Sequence, residues 1–156
     1  MRYLLFIGVA LILQGCFVLV IPPKEPESTQ VAFDVACTNN MYGAGQEGII
    51  DTAILITSNS EMENIIALIN GVNANECVKN LSELNFNEVS VICIVDKQKG
   101  SGGHAIEIND VSSSDSKLII QWSSISPDGN STTVMTQPFI FATIDKSSLE
   151  AEFTVN

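Results

Sequence analysis

The sequence predicts a mainly β fold: an antiparallel β-sheet or β-sandwich domain with one or two short helices, preceded by a lipoprotein signal peptide. Segments rich in Val, Ile, Phe and Thr recur between clusters of Gly, Asn, Asp and Ser, which is the pattern of strands joined by turns. One segment instead combines a capping signal with helical periodicity. The chain also opens on an apolar run that ends near a cysteine.

The N-terminus has the features of a secretory signal peptide. Arg2 supplies a positive charge, and residues 4–13 (LLFIGVALIL) form a short apolar core. The ending LQGC resembles the lipobox of bacterial lipoproteins, in which the signal is cut before a cysteine whose thiol becomes acylated. We therefore expect Cys16 to carry the lipid that anchors the chain to a membrane. The alternative is an uncleaved membrane helix, because apolar residues continue to Ile21, although Gln14 interrupts them.

The stretch PPKEPESTQ, residues 22–30, is rich in Pro and charge and has the composition of a semi-rigid spacer. The expected organisation is a signal peptide over residues 1–15, the lipidated cysteine and tether over residues 16–30, and one domain over residues 31–156. Either interpretation of the N-terminus places that domain in the cell envelope, facing outside the cytoplasm. Phe17 rather than Asp follows the cysteine, which in a diderm bacterium favours the outer membrane or the periplasmic side.

The composition restricts the partners. The 156 residues carry 18 acidic against 7 basic side chains, a formal net charge of −11. Neutralising phosphates requires Lys and Arg, so nucleic acid is excluded as a partner, and anionic lipid headgroups would repel the domain. Solubility explains the acidity, and a basic partner surface is the alternative.

The elements follow in order. The helix is expected in SEMENIIALING, with Ser60 as N-cap, Glu63 completing a capping box and Gly71 as its end. A second helical turn is expected near residues 74–81. The turns DKQKGSGG, SSSDS and SPDGNS carry hairpin-type residues. Strands are expected at residues 31–36, 52–58, 89–96, 104–111, 117–124, 133–145 and 151–155.

Three cysteines follow Cys16, so at most one disulfide can form within the domain. Cys93 lies in the apolar run VSVICIV and is expected to be a buried thiol that packs as a small hydrophobe. If a disulfide forms, we expect it to join Cys37 and Cys77. Three cysteines and one histidine without close spacing do not predict a zinc site.

The stretch KGSGGHAIEI, residues 99–108, is the most distinctive loop. It is not a phosphate-binding loop, because such a loop ends in Lys-Ser or Lys-Thr at the start of a helix, whereas a strand pattern follows here. It also lacks the GxSxG nucleophile motif, and the chain has a single histidine. We therefore predict no catalytic residue, metal, cofactor or small-molecule ligand, and expect that the protein is not an enzyme. The glycines are explained by a tight hairpin turn that needs positive φ angles.

Three segments together resemble the C-terminal domain of the PrcB lipoprotein family, named for a subunit of a surface-exposed protease complex. They are GSGGHAIEI, residues 100–108; SSSDSKLIIQW; and SPDGNSTTVMTQPFIFATID, residues 126–145. In this family a Gly-Gly-aromatic turn precedes an Ile-Glu-Ile strand, and a Thr-Gln-x-Pro-aromatic strand follows. Here His104 replaces the usual aromatic residue, and Asn87 stands where an acid is common.

The resemblance implies a non-catalytic accessory or binding subunit whose candidate partner is a secreted or surface protease. It also implies that the Gly-rich turn contacts that partner, through the residues Gly100, Ser101, Gly102, Gly103 and His104. The alternative is a protease inhibitor of the chagasin type, which inserts loops from one end of an immunoglobulin-like sandwich into a protease cleft.

The LQGC ending predicts that Cys16→Ser yields a chain without lipid, because serine has no thiol to accept the diacylglyceryl group. Mass spectrometry of the mature N-terminus checks this prediction. A wild-type protein that begins at a residue other than an acylated Cys16 would contradict it.

Overall fold

Two four-stranded sheets and a helical layer make up the computed structural model, which describes residues 28–156. The middle sheet has the strand order β2-β7-β4-β3 and the outer sheet the order β1-β5-β6-β8. The strands are β1 (Thr29–Gln30), β2 (Asp34–Met41), β3 (Thr52–Ile56), β4 (Val89–Val95), β5 (Ala105–Ser113), β6 (Lys117–Ile125), β7 (Gln137–Asp145) and β8 (Glu150–Val155); the helices are α1 (Asn59–Ile69) and a 3₁₀ helix (Glu76–Glu83).

The predicted mainly β fold with two short helices is confirmed. Neighbouring strands pair antiparallel throughout the middle sheet, as they do in the outer sheet except for the parallel pair β6 and β8. The strand expected over residues 31–36 forms later, as β2, and the one expected from residue 133 begins at Gln137. Strand β1 pairs with β5 and belongs to the domain, although it lies in the segment expected to be tether.

The middle sheet is buried on both faces. From β4 and β7, Val91, Cys93, Phe139 and Phe141 pack against the helical layer. The alternate residues Ile92, Ile94, Ile140 and Ala142 pack against the outer sheet. This arrangement explains why VSVICIV is apolar on both faces, whereas β6 alternates between buried Leu118, Ile120 and Trp122 and more exposed residues.

The helix starts two residues earlier than expected: the N-cap is Ser58, not Ser60. The Ser58 Oγ accepts a hydrogen bond from the Glu61 backbone N–H at 3.4 Å, and the Glu61 carboxylate accepts one from the Thr57 backbone N–H at 3.0 Å. The bond from Thr57, with that from the Ser58 hydroxyl, lowers the pKa of Glu61. The same SxxE spacing occurs at both serines, and the earlier start buries Met62 and Ile69 against the middle sheet.

A disulfide joins Cys37 of β2 to Cys77 of the 3₁₀ helix, with the Cα atoms 5.5 Å apart. It is the pair expected from the sequence, and it ties the helical layer to an edge strand of the middle sheet. Cys93 is free and buried, and its burial raises its thiol pKa to about 12. The thiol is therefore protonated at neutral pH and packs as a small hydrophobe.

The expected hairpin between β4 and β5 is wrong, because these strands lie in different sheets. Both edges of β4 are occupied by β3 and β7, so β5 has no edge of β4 to pair with. The segment SPDGNS likewise crosses between sheets, from β6 to β7. Only SSSDS closes a hairpin between sequential strands, β5 and β6.

The predicted signal peptide, Cys16 and most of the predicted tether lie outside the described residues. Within residues 28–156, no helix combines the length and apolarity needed to span a membrane.

Phe139→Ala and Phe141→Ala are each expected to lower the free energy of unfolding by about 3 to 5 kcal/mol, since each removes a fully buried ring. The two rings also pack edge to face, with centroids 5.8 Å apart. Phe153→Ala is the matched control: it truncates a half-buried ring on edge strand β8 and should destabilise less. Chemical denaturation measures all three, and unchanged stability in both core variants would contradict the placement of β7.

Candidate functional site

Three loops gather at one end of the two sheets. They are residues 42–51 between β2 and β3, residues 96–104 between β4 and β5, and residues 126–136 between β6 and β7. They meet because β2 and β4 end where β3 and β7 begin. We call this surface the loop end.

The two loops that cross between the sheets pair with each other through their backbones. Lys99 and Thr136 exchange two hydrogen bonds, of 2.7 and 3.1 Å, and the Gly102 N–H donates to the Thr132 carbonyl at 3.0 Å. The Thr136 hydroxyl adds a bond to the Ser101 carbonyl at 2.8 Å. The Gly-rich loop is therefore held by the loop that precedes β7.

The glycines of this loop have different roles. Gly103 has a positive φ of +82°, and a Cβ there would lie 3.0 Å from the Pro127 Cβ. Gly102 has no positive φ, but a Cβ at this position would lie 2.4 Å from the Thr132 Oγ1. Gly100 has open space around it and no positive φ. The expectation that positive φ explains the whole glycine run is thus correct only at Gly103.

Ser101 and His104 are half-buried and contact each other. The Ser101 Oγ lies 3.0 Å from the His104 Nε2. The His104 Nδ1 is buried and has no hydrogen-bond partner among residues 28–156, where a catalytic triad would place an acid. The His104 carbonyl accepts a bond from the Asn40 side chain at 3.1 Å. The bond from Asn40 fixes this loop to β2.

A nearly buried ion pair underlies the loop. The Lys99 Nζ lies 2.7 Å from the Asp96 carboxylate and donates to the Ser124 hydroxyl at 2.9 Å, and Ser124 in turn donates to Asp96 at 2.6 Å. Burial alone would raise the pKa of Asp96, but the bonds from Lys99, Ser124 and the Lys97 N–H outweigh burial, so the pKa is lowered. This stabilisation is present above the unfolded-state pKa of Asp96 and is lost as the pH falls through the folded-state pKa.

Gln137 joins the remaining loop to this network. Its side-chain amide donates to the Ile49 carbonyl at 3.1 Å and to the Asp96 carbonyl at 3.0 Å. One buried side chain thus bridges loops 42–51 and 96–104. All three loops of the loop end are linked by hydrogen bonds.

The loop end also carries much of the exposed apolar surface. Of the ten large apolar side chains that are exposed in the described part of the chain, six lie at or beside this end. They are Tyr42, Ile50, Ile125, Val134, Met135 and Val155. Loops that carry exposed apolar side chains are candidate protein-interaction surfaces.

The sequence placed the candidate contact residues on one loop but did not predict which residues hold that loop. All five predicted contact residues lie at the loop end, with Gly100 and Gly103 exposed and Gly102 buried. The Asp96–Lys99–Ser124 network and the bridging role of Gln137 were missed. Asp96 directly after an apolar strand was a signal for the first, and Thr136-Gln137 within the resembling motif was a signal for the second.

No three His, Cys, Asp or Glu side chains within residues 28–156 come together as a group that could hold a metal ion.

Residues 90–145 match the family model described as PrcB C-terminal. The match confirms the resemblance predicted from the sequence. The matched segment runs from β4 to the last residue of β7, so it contains both crossing loops and the residues that join them. No curated protein and no solved structure matches the chain.

Within the segment that matches the PrcB C-terminal model, Gly103→Ala is expected to lower stability by about 1 kcal/mol or more, because alanine is strained at positive φ. Gly102→Ala should also destabilise, through its clash with the Thr132 hydroxyl, and Thr132→Ala should restore part of that loss. Gly100→Ala is the matched control and should leave the melting temperature nearly unchanged. Equal effects at all three glycines would contradict these assignments.

Proposed function

We propose that this chain is a lipid-anchored protein on the outer side of the cytoplasmic membrane or beyond it, acting as a non-catalytic binding subunit of a secreted protease complex. The observation that carries the proposal is the loop end: exposed apolar side chains on loops that internal hydrogen bonds hold in place. The PrcB C-terminal match over residues 90–145 supports association with a protease complex.

Val134 and Met135 are the best placed contact residues. They are 46% and 45% exposed, yet the residues on either side of them are bonded to the Gly-rich loop, through the Thr132 carbonyl and through Thr136. Binding therefore immobilises little additional backbone, which favours affinity. Methionine is also enriched at protein interfaces.

The surface charge supports anchoring by lipid rather than by headgroup attraction. With 18 acidic against 7 basic residues, the chain has no electrostatic reason to approach an anionic membrane. An acylated Cys16 would supply the membrane affinity instead. The same acidity favours a neutral or basic surface on the partner.

The Ser101–His104 pair supports a non-catalytic role. Among the described residues, no Asp or Glu side chain bonds to the His104 Nδ1. The Thr136 hydroxyl donates to the Ser101 carbonyl, and the Asn40 amide donates to the His104 carbonyl. These bonds fit a loop whose polar groups hold a binding surface in shape.

Inhibition of a protease is the second candidate. Three loops projecting from one end of two packed sheets are the feature that an inhibitor of the loop-inserting type requires. Adding the purified chain to secreted proteases separates the candidates, because an inhibitor lowers peptide hydrolysis and an accessory subunit does not.

Val134→Asp combined with Met135→Asp is expected to lower recovery of the partner protease from native membranes by about tenfold or more, because charge replaces an apolar contact. Val35→Asp is the matched control, since Val35 is similarly exposed, at 51%, but lies on β2 near the opposite end. Quantitative mass spectrometry after affinity purification of the lipidated chain makes the comparison. Equal recovery with the double variant and the control would contradict the proposed function.

A further inference from the structure

Strand β3 forms one edge of the middle sheet, and it lacks the features that usually prevent an edge strand from pairing with another chain. Those features are short length, charged residues, proline and bulges. Residues 52–56 (TAILI) contain no charged residue and no proline, and β3 pairs with β4 without a shift in register. The side of β3 that faces away from β4 therefore presents a regular row of backbone hydrogen-bonding groups.

The other three sheet edges each carry a protective feature. Strand β1 is only two residues long, and the part of β5 that it leaves open is interrupted by a bulge after Ile108. Strand β8 carries Glu150 and Glu152. Strand β2 is bulged, and the Asn75 side chain donates to its Asn40 carbonyl. Among the strands of residues 28–156, β3 is therefore the edge that remains suited to pairing.

The surface beside β3 is apolar on both faces of the strand. A groove of about 380 Å³ lies between β3 and β8, and its apolar lining includes Ala53, Leu55, Leu149, Ala151 and Phe153. On the other face of β3, Ile54 is 36% exposed. Successive side chains of a strand point to opposite faces, so a strand added to β3 would meet apolar side chains on both of its own faces.

The sequence of β3 suits pairing with a second copy of itself. Two identical antiparallel strands related by a two-fold axis place one residue opposite itself, because side chains on opposite faces cannot be paired. Ile54 is the central residue of the five in β3, so a pair centred on it uses the whole strand. This register also places Asp51 opposite Thr57 of the second copy.

The charges at the two ends of β3 favour this register. Asp51 is exposed and makes no ion pair within residues 28–156. Lys146 is also exposed, and its Nζ donates to the Thr57 carbonyl at 2.9 Å. Placing Asp51 opposite Thr57 therefore brings the Asp51 carboxylate of each copy beside the Lys146 ammonium of the other. The strand between them is uncharged, so no like charges face each other across the pair.

We propose that β3 is a dimerisation edge: two copies of the chain pair antiparallel through residues 52–56, centred on Ile54. The two four-stranded middle sheets then form one sheet of eight strands. Five-residue strands form a small contact, so the dimer is reversible and depends on concentration. The pairing does not involve Val134 or Met135, so it is separate from the proposed contact with a protease.

Sedimentation equilibrium of the full-length chain in density-matched detergent, over a range of concentrations, tests the proposal. The wild-type chain should show a monomer–dimer equilibrium. Ile54→Lys should weaken dimerisation by about tenfold or more, because two like charges would face each other at the centre of the pair. Val35→Lys is the matched control: Val35 is 51% exposed and also lies on an edge strand of the middle sheet, so this variant should dimerise like the wild type.

A charge exchange tests the register. Asp51→Lys and Lys146→Asp should each weaken dimerisation by about threefold or more, because both ends of the pair then carry like charges. An equimolar mixture of these two variants should regain the wild-type affinity, since each contact again joins a lysine to an aspartate. Asp128→Lys is the matched control: it changes the net charge as Asp51→Lys does, at another exposed aspartate, and should not weaken the dimer.

A chain that stays monomeric at every concentration overturns the proposal, as does a dimer that Ile54→Lys leaves unchanged. A dimer that is insensitive to both charge variants, or that the mixture does not restore, overturns the register centred on Ile54. Loss of a captured protease with Ile54→Lys, in a chain that does not dimerise, would assign the edge to that protease instead of a second copy. Val134→Asp with Met135→Asp should keep the dimer, so failure of the dimer and failure of the proposed function are distinguishable.

Discussion

Burial of the middle sheet on both faces is the constraint on which the rest of the structure depends. Strands β4 and β7 lie between the helical layer and the outer sheet, so their side chains must be apolar in both directions. Buried polar side chains are then tolerated only near strand ends, where hydrogen-bond partners are available. Ser90, Asp96, Thr136 and Gln137 are buried at such positions. At the loop end, the last three of them form the network that holds the loops.

The same constraint explains what could be predicted about the fold. The residue types along the chain predicted the bounds of β3 to β8 to within a few residues, because strand composition is a local property. It did not assign strands to sheets: DKQKGSGG has hairpin-type residues, yet it crosses between sheets because β7 occupies the free edge of β4. One local signal was present, since VSVICIV is apolar on both faces whereas AIEINDV alternates. Strands with such different patterns are unsuited to adjacent places in one sheet.

The candidate site was predictable in position and not in its contacts. The glycine run marked the loop, because small residues allow the close approach that Gly102 makes to Thr132. The contacts that fix the loop come from residues distant in sequence, Ser124, Thr132, Thr136 and Gln137. Such pairings follow from the sheet crossings, so an incorrect hairpin also hides them. The disulfide was predictable because burial of Cys93 left a single pair within the domain.

The way the domain uses its lysines connects the fold to its surroundings. Lys79 pairs with Glu76, Lys117 with Glu152, and Lys99 with Asp96, while Lys146 donates to the Thr57 carbonyl. Four of the five lysines in residues 28–156 thus make contacts within the domain, whereas Lys97 is exposed, and the single arginine, Arg2, lies in the predicted signal peptide. The charge left on the surface of the domain is therefore mainly negative. A negative surface would be repelled by anionic lipid headgroups.

If the chain is lipid-anchored as proposed, this repulsion would let the domain present its loop end to a partner without that end adhering to lipid. The apolar side chains Val134 and Met135 would otherwise be prone to insert into a membrane. Their loop is held by Thr136, which the burial of β7 keeps in place, so the loop end is preorganised for any partner that binds it. Covering both faces of one sheet with apolar residues therefore sets the core, the crossings between sheets and the position of the loop end.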